Sequence, residues 1–425
     1  MRILIIVFIG GIFCNQCYAQ ITRKELVNST LDYYTLKTEA EKKAEEQKKK
    51  KEEIVKEEMK KAEERLAKIK NFLADLHPYL NVEETYDDNI YRLKTNKKSD
   101  FITKLFPGIQ YRSKNLANRT NLILNGGWQI IKYADRNIYN DESPYANAVF
   151  ARGLGRYNLG LSASAKKSTS ISSTFADNPI ERFIDSWNYD FNADLKTDFN
   201  RFDYSLQYNH SVAAYEDNQD KLNNNSQDAV AFRSAFKLLP KTKLFLEYGH
   251  GWHHYPKKKA NGWDYDKYLV GLDGKIFAKL EGTIKSGYMT TKQRTGKDIN
   301  GNVVDVNLSY NASPHLRYSL GLVQGLGDTA LITGNVSRNR GITLGCDYFP
   351  PFNNKLSLKT GISYWQRHYS WEEREDVFGA SFGPSYKFKK WLILGLSYKY
   401  EKKTSELKVN DYKSNVTTLT ITSEF

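Results

Sequence analysis

The chain has 425 residues, a formal net charge of +14, 29 Tyr, 21 Phe and 7 Trp, yet only 10 Pro and 3 Cys. Beyond the N-terminal segment no apolar stretch approaches the roughly 18 residues of a transmembrane helix, so any membrane-spanning reading rests on strands. Past residue 19, Cys346 stands alone, which excludes an intramolecular disulfide framework.

Met1-Arg2, the apolar run Ile3 to Phe13 and Cys17-Tyr18-Ala19 before Gln20 form the charge, greasy core and small-residue exit of a secretory signal, with cleavage expected after Ala19. A lipoprotein signal is rejected, because Ile12-Phe13 precede Cys14 and Asn15-Gln16 precede Cys17 where small residues are required.

Residues 20–77 form a charged segment. From Glu39 to Lys70 about two-thirds of the residues are Lys, Arg or Glu. Glu precedes Lys by four at Glu39/Lys43, Glu45/Lys49, Glu46/Lys50, Glu52/Lys56, Glu57/Lys61 and Glu64/Lys68, which predicts a solvated helix. Its second half adds a heptad-like seam of Val55, Met59, Ala62, Leu66, Ile69, Leu73 and Leu76. The spacing leaves two outcomes open: self-association into a homo-oligomer, or a stripe that packs on the rim of the β-structure that follows or belongs to an isolated charged helix. His77-Pro78 is expected to stop the helix.

From residue 78 the hydrophobic period changes to two. Leu356, Leu358, Thr360, Ile362 and Tyr364 alternate with Ser357, Lys359, Gly361 and Ser363. The same division recurs in Phe202/Tyr204/Leu206/Tyr208, Leu392/Leu394/Leu396/Tyr398, Leu316/Tyr318/Leu320/Leu322, Val304/Val306/Leu308/Tyr310 and Trp187/Tyr189/Phe191. Short turns such as Leu239-Pro240-Lys241, Asp273-Gly274 and Phe388-Lys389-Lys390 alternate with long polar loops such as Glu216 to Ser226, Leu326 to Thr333 and Lys402 to Asp411. That asymmetry predicts an all-β fold: a transmembrane antiparallel up-and-down β-barrel of about 18 strands (16–18) over residues 78–425, with both strand termini on the periplasmic side. Alternation is weakest over Asn89 to Lys98 and Tyr145 to Leu161. In the last strand Leu419, Ile421 and the terminal Phe425 share a face with Ser423, resembling the strand recognised by outer-membrane assembly machinery.

Parity sorts charged residues onto the polar face. The cations are Arg201, Arg233, Lys267, Lys279, Lys285, Arg317, Lys355, Lys359, Arg367 and Lys399; the acids are Asp190, Asp194, Asp203, Glu247, Glu281, Asp305 and Asp347. A mildly basic, charge-mixed lumen suited to acidic polysaccharide or other anions is the expectation, against the alternative that these charges pair across strands and hydrate the wall.

Three motifs resemble chemical sites. Gly379-Ala380-Ser381-Phe382-Gly383 matches a nucleophile elbow in spelling, but an elbow needs a helix after the turn and the surroundings here read as strand. His250, His253 and His254 beside Trp252 and Tyr255 read as an aromatic girdle rather than a metal site. Asp298 to Asn302 reads as an Asn-Gly turn rather than a calcium loop. No catalytic residue, cofactor, metal or nucleic-acid partner is expected.

The opening Leu80-Asn81-Val82-Glu83-Glu84-Thr85-Tyr86-Asp87-Asp88-Asn89-Ile90-Tyr91, with Lys98-Ser99-Asp100-Phe101 and Phe106-Pro107-Gly108-Ile109, resembles the putative β-barrel porin 2 family. The resemblance implies an outer-membrane barrel that helps exported exopolysaccharide cross that membrane. The expected partners are outer-membrane lipid and lipopolysaccharide, the barrel assembly machinery through the last strand, and periplasmic polysaccharide-export proteins. The charged helix is outside the recognised pattern. A general or anion-selective diffusion porin is the alternative, and a structural envelope protein the second.

Overall fold

The computed structural model describes residues 50, 56–66, 70, 75–115, 119–171, 183–218, 220–295, 298–328, 336–369, 374–406 and 408–424. The expected secretory signal, Val55, Ile69, Leu73 and Phe425 lie outside the described residues. The chain divides into two units, residues 1–71 and 72–425. In the first, residues 56–66 are helical and exposed throughout. Glu57 and Lys61 pair at 2.7 Å one turn apart. Met59 and Leu66 are 59% and 65% exposed.

The second unit is built of 18 strands. They are β1 (Leu76–Asp87), β2 (Asp100–Asn115), β3 (Thr120–Tyr133), β4 (Asp141–Leu154), β5 (Tyr157–Ile171) and β6 (Phe183–Phe199). Next come β7 (Phe202–Tyr215), β8 (Asn225–Leu239), β9 (Thr242–His254), β10 (Trp263–Phe277), β11 (Leu280–Gln293) and β12 (Gly301–Ser313). The last are β13 (Leu316–Asp328), β14 (Val336–Tyr348), β15 (Leu356–His368), β16 (Arg374–Lys389), β17 (Leu392–Ser405) and β18 (Tyr412–Glu424). Each pairs antiparallel with its sequence neighbours, and β1 pairs with both β2 and β18, Tyr79 standing opposite Glu424. Closure leaves no strand edge unpaired. The strand series begins and ends at the end of the barrel that carries the short turns.

Leu76 is therefore a barrel residue, opposite Tyr111, and not the last member of a helical seam. Heptad spacing cannot separate a helical leucine from a strand leucine at such a junction. Pro78 lies within β1 near its start, where a missing N–H removes one ladder bond at most.

Because side chains alternate and cross-strand partners share a face, one register row defines both faces. Phe382, Tyr398, Thr417, Tyr86 and Phe101 are successive partners across β16, β17, β18, β1 and β2. The four aromatics of that row are 39–53% exposed and point outward. One step along, Ser381, Lys399, Val416, Asp87 and Asp100 form the inner row. Two apolar depressions also lie on the outer face, one lined by Leu280, Leu308, Tyr310 and Leu344, the other by Ile109, Leu124 and small residues such as Ala148 and Ala163.

The outer face carries a recurrent device near the long-loop end. In β7 and β8, Tyr208 donates to Asp228 Oδ1 at 2.7 Å and His210 Nδ1 meets the same oxygen at 2.7 Å. Two strands on, Tyr248 and His250 hold Asp266 in the same way, at 2.7 and 3.0 Å. Tyr364 and Gln366 repeat it on Asp376, and Tyr398 donates to Asn415. These clusters tie each hairpin where an apolar wall meets polar surroundings, the usual place of Tyr and Trp belts.

Strands extend further at the long-loop end than alternation indicates: β13 reaches Asp328, β16 starts at Arg374 and β17 reaches Ser405. Both faces are polar there, so the ladder continues after the hydrophobic signal stops. Asp273-Gly274 lies inside β10, and the turn follows at residues 278–279. Tyr145 to Leu161 resolves into two strands joined at Gly155, whose φ of +63° suits a tight turn.

Candidate functional site

The inner face is a mosaic of ion pairs. Arg233 on β8 meets Glu247 on β9 at 2.7 Å, and its guanidinium lies 4.0 Å from the Phe245 ring centre. Lys285 pairs with Asp305 at 3.1 Å, Lys399 with Glu401 at 2.7 Å and Lys196 with Asp194 at 3.1 Å. Asp203 holds both Lys243 and Lys237. Arg317 and Lys359 flank Asp347 in register. Lys267 and Asp190 share this face, as does Glu281, the second residue of β11. Three of the expected wall cations lie elsewhere. Arg201, Lys279 and Lys355 occupy short turns, each immediately before the first residue of its strand (β7, β11 and β15), where parity carries no information. Among the wall residues the pairing alternative describes the structure better than an uncompensated basic lining does.

At the long-loop end the segment after β1 folds against the inner wall. Ile90, Tyr91 and Leu93 are buried against Ile102, Ile131 and Tyr133, which belong to the inner rows of β2 and β3. Asn89 is fully buried and staples the turn: its Nδ2 donates to Leu93 O at 2.7 Å and Lys413 O at 2.9 Å, while Oδ1 accepts from Leu93 N at 2.9 Å. Asp87 accepts from the Asn89 N–H at 2.9 Å and pairs with Arg92 at 2.8 Å. Asp100 likewise holds Arg136 at 3.1 Å. Burying an apolar patch inside a polar lumen explains why three hydrophobic residues fall within four positions of a loop.

From this loop a polar network runs back along the inner wall. Ser414 donates to Asp87 at 3.2 Å, Tyr412 donates to Glu401 at 2.6 Å, and Lys403 pairs with Glu375, both almost fully buried. Tyr369 donates to Glu375 at 2.9 Å. Burial, reinforced by that carboxylate, pushes the Tyr369 phenol up to about 12, so it remains a donor at neutral pH. Beside it a recess of about 340 Å³ is lined by Asn339, Trp365, Arg367, Glu375, Lys403 and Tyr412.

A closed strand cylinder with an apolar outside and a charged inside is what a membrane requires, since each backbone polar group is satisfied within the wall. The family model described as Putative beta-barrel porin 2 matches residues 71–425. The chain belongs to this family. It is an outer-membrane β-barrel, porin-like in build. No curated protein sequence matches it. Solved structures that it is similar to include Pseudomonas aeruginosa OccK9 (OpdG), at 11% identity and a TM-score of 0.49, over 83% of this chain and 100% of that one. OccK3 (OpdO) of the same organism gives 12% identity and a TM-score of 0.48, over 84% and 97%. The P. aeruginosa outer membrane protein opdK gives 8% and 0.47, over 83% and 100%.

Within this porin-family barrel the Gly379–Gly383 and histidine motifs fall on strand positions. Gly379 to Gly383 lies inside β16 with strand on both sides, Phe378 and Phe382 outward and Ser381 inward. His250 binds Asp266 on the outer face. His253 stacks between Tyr255 and Trp263 on the inner side, ring centres 5.2 and 5.7 Å apart. His254 meets Arg294 at 3.2 Å. Among the described residues no group of three metal-ligating side chains converges. Parity missed the infolded loop and the Glu375–Lys403–Tyr369 network, where the signal was available: Ile90-Tyr91 beside Asp87, Asp88 and Arg92 is too apolar for a solvated loop.

Proposed function

We propose that the barrel is a passive conduit through which an exopolysaccharide crosses the outer membrane. The observation that carries this reading is the inner wall itself, a continuous lining of paired charges, amides, hydroxyls and sugar-sized recesses. Each ion pair presents both signs at short range, so the wall hydrates a polyhydroxylated chain without trapping it by net charge. Barrels of 16–18 strands are wide enough to hold an aqueous channel. The resemblance of residues 80–109 to barrels of exopolysaccharide operons supports the same cargo. Deleting the gene in the organism that encodes it, then measuring polymer on both sides of the outer membrane, tests this. Export requires that polymer accumulate inside and vanish from the medium; unchanged secretion would overturn it. The competing reading is a general diffusion porin, favoured by the balanced wall charge, which predicts small-solute permeation with no effect on polymer release.

A further inference from the structure

Five inner-face aromatics lie directly opposite a glycine on the neighbouring strand: Tyr79 opposite Gly108, Tyr145 opposite Gly127, Phe245 opposite Gly271, Tyr265 opposite Gly251 and Trp365 opposite Gly341. In each pair a Cβ built on the glycine would collide with the aromatic side chain, so the ring lies flat over the bare backbone of the wall. Glycine is required here for that close approach. Four of the rings are occupied on their other side or edge. Tyr79 is tied to Asn125 and Tyr145 at 2.6 and 2.5 Å, Phe245 is 1% exposed beneath Arg233, and Tyr265 packs against Trp263 at 5.6 Å between centres. Trp365 differs: it is 39% exposed, with one face on Gly341 and the recess beside Arg367 and Lys403 around it.

The charge beside it is also distinctive. Lys403, Lys399 and Arg92 each have a carboxylate partner. Arg367, one inward position from Trp365, stands opposite Glu375 in register, but that carboxylate is paired with Lys403, and the hydrogen bonds of Arg367 among the described residues go to neutral groups: Asn339 Oδ1 at 3.3 Å and the Tyr369 hydroxyl at 3.3 Å. A guanidinium held by neutral acceptors keeps its attraction for an incoming carboxylate, and its fork matches one. The flat indole offers apolar area to the C–H face of a pyranose ring, with polar edges left free for hydroxyls.

We infer that Trp365 and Arg367 form a saccharide subsite inside the barrel, selective for a hexuronic acid unit: the ring stacks on Trp365 and the carboxylate meets Arg367. The inference deepens the conduit reading and depends on it only for its biological use.

The test uses the full-length barrel folded in detergent, titrated calorimetrically with a galacturonic acid trimer and with a neutral hexose trimer of equal length. Wild type is expected to bind both, the acidic trimer more tightly. W365A should weaken both by tenfold or more, W365F should retain part of the affinity, and R367Q should abolish the acidic preference while leaving the neutral trimer within twofold. Heat-modifiable mobility verifies that each variant is folded. G341V, which pushes the ring off the wall, should mimic W365A. Wild-type affinity in W365A, or no binding of either trimer to wild type, overturns the subsite. Calorimetry needs no ion flow, so a barrel that binds the trimers but conducts nothing in a bilayer sinks the conduit reading and leaves the subsite standing; one that conducts without binding does the reverse.

Discussion

Asn89→Ala probes the infolded loop. Asn89 is fully buried and makes three hydrogen bonds to main-chain groups of Leu93 and Lys413. Truncation strands those groups at roughly 1–3 kcal/mol each, and water entering from the open mouth keeps the cost at the low end, about 3 kcal/mol together. Against that stand the buried side chains of Ile90, Tyr91 and Leu93, worth about 1.5–3 kcal/mol apiece. The hydrophobic contribution is the larger, so the loop stays docked but opens more often. At 1.4 kcal/mol per factor of ten, opening rises on the order of a hundredfold. Amide hydrogen exchange at Ile90 and Leu93, bonded to Lys98 O and Asn89 Oδ1, reads this directly. The strand amides of β2 and β3 should not change. Exchange at Ile90 and Leu93 identical to wild type would refute the staple.

Deleting Phe425 should lower the heat-modifiable species recovered in outer membranes, since the last strand carries Leu419 and Ile421 outward toward an aromatic end; unchanged yield counts against an assembly signal there. Leu66→Asp with Ile69→Asp should dissociate any detergent-solubilised oligomer, and a constant particle mass, or a monomeric wild type, removes the helix as the associating element. Lys359→Glu and Lys399→Glu should each move the reversal potential in a salt gradient toward cations, because both lie on inner rows beside Asp347 and Glu401. Lys355→Glu, in a short turn, should move it less; an equal shift would show that the turn, not the wall, sets selectivity.

The strand count and the two faces could be read from the chain because a barrel wall has a side-chain period of two wherever one face is apolar. Leu356 to Tyr364 and Leu392 to Tyr398 announce their strands for that reason. The signal fails in three places, each for a physical cause. Arg201, Lys279 and Lys355 come just before the first residue of their strands, where parity has no meaning. The ends of β13, β16 and β17 are polar on both faces. The loop after β1 buries Ile90 and Leu93 against inner-face Ile102 and Ile131, a long-range contact that no local period encodes. Leu76 shows the converse: a leucine that fits two periods at once, assigned to the barrel by its register with Tyr111. The pairing of Trp365 with Gly341 needs the register of β14 and β15, since the two lie far apart in sequence.

The most direct measurement is single-channel recording of the full-length wild-type barrel, purified in its heat-modifiable form and inserted into a planar bilayer. A water-filled lumen lined by paired charges gives discrete, reproducible conductance steps with weak ion preference. Verified insertion of folded barrel with no conductance at any voltage would contradict it.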